Sequence, residues 1–382
     1  IGLLGIGTVG GGTFDVLTRN AEEISRRAGR PITITHVADK NTALANQVVA
    51  GRATVTDDAF GVVRNPDIDV VVELIGGYGV AKQLILEAIN NGKHVVTANK
   101  ALLALHGNEI FAAARAKGVI VAFEAAVAGG IPIIKALREG LVANRIEWIA
   151  GIINGTTNFI LSEMRSKGLA FADVLKEAQA KGYAEADPTF DIEGVDAGHK
   201  ISILAALAFG IPLSFDKAHV EGITKIEAID IRYAEEMGYR IKLLGIARRR
   251  GDGSDAGFEL RVHPTLIPAK RLIANVEGVM NAVLVKGDAV GATLYYGAGA
   301  GSAAISRQFE AVRAAAENER QHTLDAIEID DRIDARTDLL AAHSPLACAD
   351  PQRDGFGHLI RDQCVANAWA ITRGLQSQSL QP

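Results

Sequence analysis

The first ten residues, IGLLGIGTVG, carry glycines at positions 5, 7 and 10, between a short apolar run and a long helical pattern. This placement forces a strand (1–7) to turn at once into a helix starting at Thr8. In such a turn the first glycine permits the tight bend. The second lets bare backbone approach a phosphate, and the third lets helix and strand pack closely. The helix start adds free N–H groups and the positive end of the peptide dipoles. Gly5, Gly7, Thr8, Val9 and Gly10 are therefore candidate contacts for the pyrophosphate of a dinucleotide; the alternative is a glycine turn of purely structural use.

The pattern that follows supports the first reading. Residues 32–38, 69–75, 93–97 and 119–123 read as strands, separated by helical stretches at 8–27, from Asn41, after Gly76-Gly77 and from Ala101. Strands apolar on both faces, alternating with helices, predict a parallel sheet covered on both sides. The expected fold is α/β: a Rossmann-type doubly wound parallel sheet over 1–128, plus a second α+β domain with a mixed sheet. Asp39 and Lys40 end the second strand. An acid there can bind the adenosine ribose hydroxyls and favours NAD, whereas Lys40 can serve a 2′-phosphate, so NAD(P) is expected without a choice between the two. Asp39 can also be an ordinary turn residue.

After Gly129-Gly130 the rhythm changes. A strand at 145–153, helices at 159–165, 171–181 and 195–209, and strands at 241–248, 258–263, 281–286 and 289–296 make a second domain over 129–296. Residues 297–325, a glycine turn and a helix, are expected to return to the first domain. The tail 326–382 shows little periodicity.

Several function classes are disfavoured by composition. The net charge of −5 offers no basic field for nucleic acid or an acidic membrane. No apolar run is long enough for a membrane helix. The two cysteines, Cys348 and Cys364, form neither a disulfide framework nor a metal cluster, which suits a reducing cytoplasm. Ile1 already lies inside a strand, so further residues are expected upstream and a removed targeting segment stays open.

Chemistry concentrates in GYAEADPTFDIEGVDAGHK, residues 182–200. Asp196 and Lys200 are four apart and share one helical face. Facing a cleft, such a lysine is pushed down by desolvation and up by the aspartate, and can exchange a proton with a substrate hydroxyl. Facing solvent, the two are a plain ion pair. Lys100 follows the fourth strand in TANK, at the strand end where open sheets bind ligands; otherwise it is a surface lysine at a helix entry. Glu73, interrupting an apolar strand, and His199, on another helical face than Lys200, read as structural. Glu124 in EAAVAGGIP, beside bare carbonyls, can hold a hard cation or mark a simple hinge.

Taken together, GIGTVG at 5–10, TANKALLA at 97–104, EAAVAGGIPII at 124–134, GIINGTTNFIL at 151–161 and AQAKGYAEADPTFDIEGVDAGHK at 178–200 resemble the homoserine dehydrogenase family. The resemblance spans roughly residues 1–320. It implies NAD(P)-dependent interconversion of homoserine and aspartate 4-semialdehyde, in a homodimer or homotetramer whose second domain serves substrate and dimer contacts. Lys200 resembles the family's proton-transfer lysine, Lys100 a lysine at substrate and cofactor, and Asp196 an orienting acid. Glu185 matches a carboxylate for the substrate ammonium, with Asp191, Thr156 and Tyr183 also on the substrate side. Glu124, Val127, Gly129 and Ile131 match a monovalent cation site, usually sodium, and Gly299 a glycine turn near the cofactor. The continuation after that turn, Gly301-Ser302-Ala303, departs from the family's Pro-Thr-Ala-Ser type. No regulatory amino-acid-binding pattern is visible in 330–382, so threonine feedback through such a domain is not expected. Two rival readings remain: another NAD(P)-dependent amino-acid dehydrogenase, and a non-catalytic NAD(P)-binding sensor.

Overall fold

The computed structural model describes residues 1–251 and 257–300. The helix expected after Gly299 and the tail with both cysteines lie outside the described residues.

The first half forms β1 (Gly2–Leu4), α1 (Thr8–Arg19), α2 (Ala21–Ala28), β2 (His36–Ala38), α3 (Thr42–Val49), β3 (Thr54–Thr56), α4 (Ala59–Arg64), β4 (Val70–Glu73), α5 (Gly79–Asn90), β5 (His94–Thr97), α6 (Lys100–Lys117) and β6 (Val121–Ala122). The six strands are parallel, in the order β3-β2-β1-β4-β5-β6. The order reverses between β1 and β4, which opens a crevice at their carboxyl ends. Alternation along each strand separates two cores. Leu3, Val37, Val72 and Val96 face Phe14, Leu17 and Ala45, whereas Leu4, Val71 and Val95 face Leu84, Ile85 and Ile110.

Several elements of the first half differ from the sequence expectation. The helix over 8–27 breaks at Asn20 into α1 and α2. The second strand is regular only over its last three residues, and the short β3 and α4 add an edge strand and its helix. A three-residue edge strand is too short to show a period-2 pattern, so nothing in TVTDDAF marks it.

The second half forms a short helix α7 (Ile133–Lys135), β7 (Ile146–Ile152), α8 (Gly155–Lys167), α9 (Phe171–Ala180), α10 (Thr189–Ile192), α11 (Val195–Phe209), β8 (His219–Val220), α12 (Ala228–Glu236), β9 (Tyr239–Arg250), β10 (Gly257–Pro268), β11 (Met280–Gly287) and β12 (Gly291–Ala298). Its sheet runs β12-β11-β7-β9-β10-β8, antiparallel except for the β8–β10 pair. Helices α8, α9 and α11 cover one face with Phe159, Ile160, Met164, Val174, Ile201 and Leu204. The opposite face keeps a smaller buried group, with Ala150, Ile246, Leu284 and Leu294 only partly covered. Helix α11 also packs on α6, which links the two halves next to the crevice.

Candidate active site

The glycine turn has the shape that a pyrophosphate needs. Gly5 has φ +89°, and a Cβ there would lie 2.8 Å from the Leu74 carbonyl oxygen. A Cβ on Gly10 would run into the Gly5 carbonyl, whereas one on Gly7 would meet nothing within 4 Å. Gly7 also caps α1 without any side-chain hydrogen bond, so the first-turn N–H groups have no cap partner among the described residues. A dinucleotide phosphate fits this arrangement. Beside it, a cavity of about 740 Å³ is lined by Gly5, Gly7, Asp39, Lys40, Asp57 and Val80. Asp39 accepts the Ile6 and Asn41 N–H groups, both at 2.7 Å, and so ties the end of β2 to the turn. Lys40 Nζ donates to the Asp57 carbonyl at 3.1 Å. Thr8 and Val9 are exposed on the first turn of α1.

A second cavity, of about 440 Å³, continues along the carboxyl ends of β4 and β5 and is lined by Val9, Glu73, Tyr78, Asn99, Lys100 and Phe190. Glu73 is fully buried and structural here. It accepts the N–H groups of Ile75 (2.9 Å) and Gly76 (3.0 Å) and the Thr97 hydroxyl (2.7 Å), shaping the loop under the cleft. Asn99 caps α6 through the Leu102 N–H, which starts the helix at Lys100 and sets that lysine at the cleft mouth.

Lys100 and Lys200 meet at one carboxylate. Lys200 Nζ donates to Asp196 Oδ2 at 2.7 Å and to the Ile153 carbonyl at 2.8 Å. Lys100 Nζ lies 3.1 Å from Asp196 Oδ1. The side chains are 3% exposed for Asp196, 12% for Lys200 and 35% for Lys100, so the pair is buried on one side and wet on the other. Burial alone would push the Asp196 carboxyl up. The two ammonium groups, with hydrogen bonds from Lys200 and Asn154, outweigh it and hold the carboxyl well below the usual range. Burial pushes Lys200 down from the ordinary lysine value, opposed by Asp196 and reinforced by Lys100. Burial also raises Asp191.

The other expected residues are placed as follows. The Thr156 hydroxyl donates to the Tyr183 carbonyl at 2.7 Å and lies 3.5 Å from Asp191 Oδ2, because α8 begins at Gly155 rather than at Phe159. The Tyr183 ring packs edge-on to Phe159. Glu185 is not drawn into the lysine cluster. Its carboxylate is exposed, with no hydrogen bond or ion pair among the described residues, since an acid without a partner stays hydrated. His199 is buried between the rings of Phe190 and Phe215.

Glu124 is buried and accepts the N–H groups of Ile134 (3.1 Å) and Lys135 (3.0 Å). Next to it, Ala128 takes φ +53° and its carbonyl accepts the Ile131 N–H. The carbonyls of Val127 and Gly129 accept no hydrogen bond among the described residues. Gly299 lies close to the Asn281 side chain, one residue beyond Ala298, whose carbonyl accepts the Gly130 N–H.

Three residues of the site were not singled out in the sequence: Asn154, Tyr78 and Phe190. Asn154 had a readable signal, an asparagine before a glycine at a helix start. Tyr78 and Phe190 had none.

The comparisons with known proteins decide the family. A model of the homoserine dehydrogenase NAD-binding domain matches residues 5–124, and a homoserine dehydrogenase model matches residues 132–308. The homoserine dehydrogenase of Pseudomonas aeruginosa is 69% identical over 301 residues, covering 79% of this chain and 68% of that protein. The chain belongs to the homoserine dehydrogenase family. That of Bacillus subtilis is 45% identical over 302 residues, covering 79% and 69%. The crystal structure of a homoserine dehydrogenase from Thiobacillus denitrificans superposes with a TM-score of 0.80 at 67% identity, over 85% of this chain and 74% of that one. Members of this family are NAD(P)-dependent oxidoreductases acting on a CH–OH group. Among the described residues no helix is long and apolar enough to cross a membrane.

Proposed function

We propose that the Asp196-centred cluster is where the proton of the homoserine–aspartate 4-semialdehyde interconversion is moved, with Lys200 as its carrier. The observation behind this reading is the single buried carboxylate held by two lysines, one from each half of the chain, beside the cleft. Bound NAD(P) supplies the hydride chemistry.

In the reductive direction the Lys200 ammonium gives its proton to the C4 oxygen as that oxygen gains charge, and Lys100 stabilises the same charge. Burial favours this, because it destabilises the charged form of Lys200 and eases proton release. Asp196 fixes both lysines and stays ionised. Asp191 and Thr156 bound the substrate side, with the Tyr183 carbonyl bonded to Thr156. Glu185, two residues farther along that loop with an exposed carboxylate that has no partner among the described residues, receives the α-ammonium and sets the direction of the carbon chain. Asp39 and Lys40 hold the ribose end of the cofactor.

A monovalent cation such as sodium suits the Glu124–Ile131 segment. A buried carboxylate and the carbonyls of Val127 and Gly129, unbonded among the described residues, are hard oxygen donors, the type such ions take. The partly covered outer face of the second sheet, with Ile246, Leu284 and Leu294, suits a homodimer contact.

Lys200→Ala tests the central role. Homoserine oxidation should lose about 10²- to 10⁴-fold in kcat, while the cofactor Kd, measured by fluorescence titration, stays within a few-fold. A variant with near-normal kcat removes Lys200 from the chemistry.

A further inference from the structure

Asn154 joins β7 to α8 and is 5% exposed. Its Oδ1 accepts the Thr157 N–H at 2.9 Å and so caps α8. Its Nδ2 donates to Asp191 Oδ1 at 2.6 Å and to Asp196 Oδ2 at 2.9 Å. An amide nitrogen carries two protons, and both are used here, one on each acid. The orientation is fixed by chemistry. Turned over, the amide would set its oxygen against two carboxylates and its NH₂ against a backbone N–H.

The bridged acids sit on separate elements, Asp191 on α10 and Asp196 on α11. Asp191 is also faced by Lys200 on α11, Lys100 on α6 and the Thr156 hydroxyl on α8. Two carboxylates this close repel each other unless donors or cations lie between them. The lysines reach Asp196 directly. Among the described residues, Asn154 is the neutral group that bonds to both acids.

We propose that Asn154 is a positioning residue for the reaction, whose amide holds Asp191 and Asp196 at a fixed spacing and in the ionised state. This rests on the reading of Lys200 and Asp196 given above. The substrate-side acid and the lysine-orienting acid are then set by one rigid group, itself anchored at the start of α8. Losing the bridge frees Asp191 to take up a proton or rotate away, and Lys200 loses its fixed aim.

Asn154→Ser separates capping from bridging. Serine still accepts the backbone N–H at a helix start, but its one hydroxyl proton cannot span both acids. In the full-length protein, Tm should stay within a few degrees, while kcat falls about 10- to 100-fold, the scale of a misplaced reacting group. The acidic limb of the kcat/KM profile should move up by about one pH unit, because a carboxylate deprived of a donor holds its proton more tightly. Lys200→Ala, assayed alongside, keeps the two readings apart. If Lys200→Ala collapses turnover but Asn154→Ser changes neither kcat nor the acidic limb, the bridge is overturned and the lysine reading stands. If kcat falls together with Tm and the limb does not move, Asn154 serves folding only, and the proposal is equally overturned. Near-normal turnover in Lys200→Ala would remove the lysine reading and this one with it.

Discussion

Asp196 is a buried acid whose neighbours decide its charge. Lys200, Lys100 and Asn154 all reach its two oxygens, and the carboxyl is held well below its ordinary value of 3.8. A carboxyl depressed in the folded state adds stability that is present above 3.8 and is lost as pH falls below it. Asp196→Asn keeps the shape but leaves the Lys200 ammonium buried without a full counter-charge. The expected cost is about 3 kcal/mol near neutral pH, the lower end for breaking a buried pair, because Lys100 remains partly in water. Urea titrations at pH 7 and pH 3 check this: the gap between wild type and variant should narrow in acid. A constant gap would mean that charge is not what Asp196 contributes. The Asp196–Lys200 half of this cluster was legible, since an i,i+4 pair needs only helical geometry. Lys100 joins from a distant stretch of chain; its place at the carboxyl end of the fourth strand pointed to the ligand cleft, and the family resemblance pointed to its role there. Glu185 shows the limit of such reasoning: its loop is placed beside the site, but no side chain among the described residues fixes its carboxylate.

At the scale of elements, the strand–turn–helix at 5–10 was the most readable, because three glycines at that spacing have few other uses. Gly10→Ala should test how tightly it is built. The new Cβ meets the Gly5 carbonyl, so α1 must move away from β1. The expected result is about 1–3 kcal/mol of lost stability and on the order of tenfold weaker NADPH binding, read by thermal melting and fluorescence titration. Unchanged cofactor affinity would show that the turn tolerates more room than its geometry implies. Other elements were hidden for physical reasons. Helix α12 starts at a reciprocal pair in which Asp230 accepts the Glu227 N–H, but no long apolar stripe announces it. The break at Asn20 lies inside a continuous helical pattern, where one residue with φ −105° leaves little trace in the sequence. Helix α8 starts a full turn before its first large apolar residue, so periodicity alone placed its boundary too late and left Asn154 unassigned.

At the scale of the molecule, the decisive feature is that two sheets of different kinds deliver one lysine each. Lys100 begins α6, at the carboxyl end of the parallel sheet. Lys200 lies on α11, which packs against the mixed sheet and against α6. The layer architecture was legible from rhythm: apolar strands alternating with helices, then helices followed by alternating strands. The way the two layers meet was not, because the α6–α11 contact leaves no periodic signal. In the proposed mechanism the two ammonium groups act as one unit across Asp196. Groups that act as a unit are not additive in their kinetic effects. The most direct measurement is therefore kcat for homoserine oxidation in Lys100→Ala, Lys200→Ala and the double variant. The double variant should lose little more than Lys200→Ala alone; losses that multiply would show two independent lysines and contradict the shared-carboxylate mechanism.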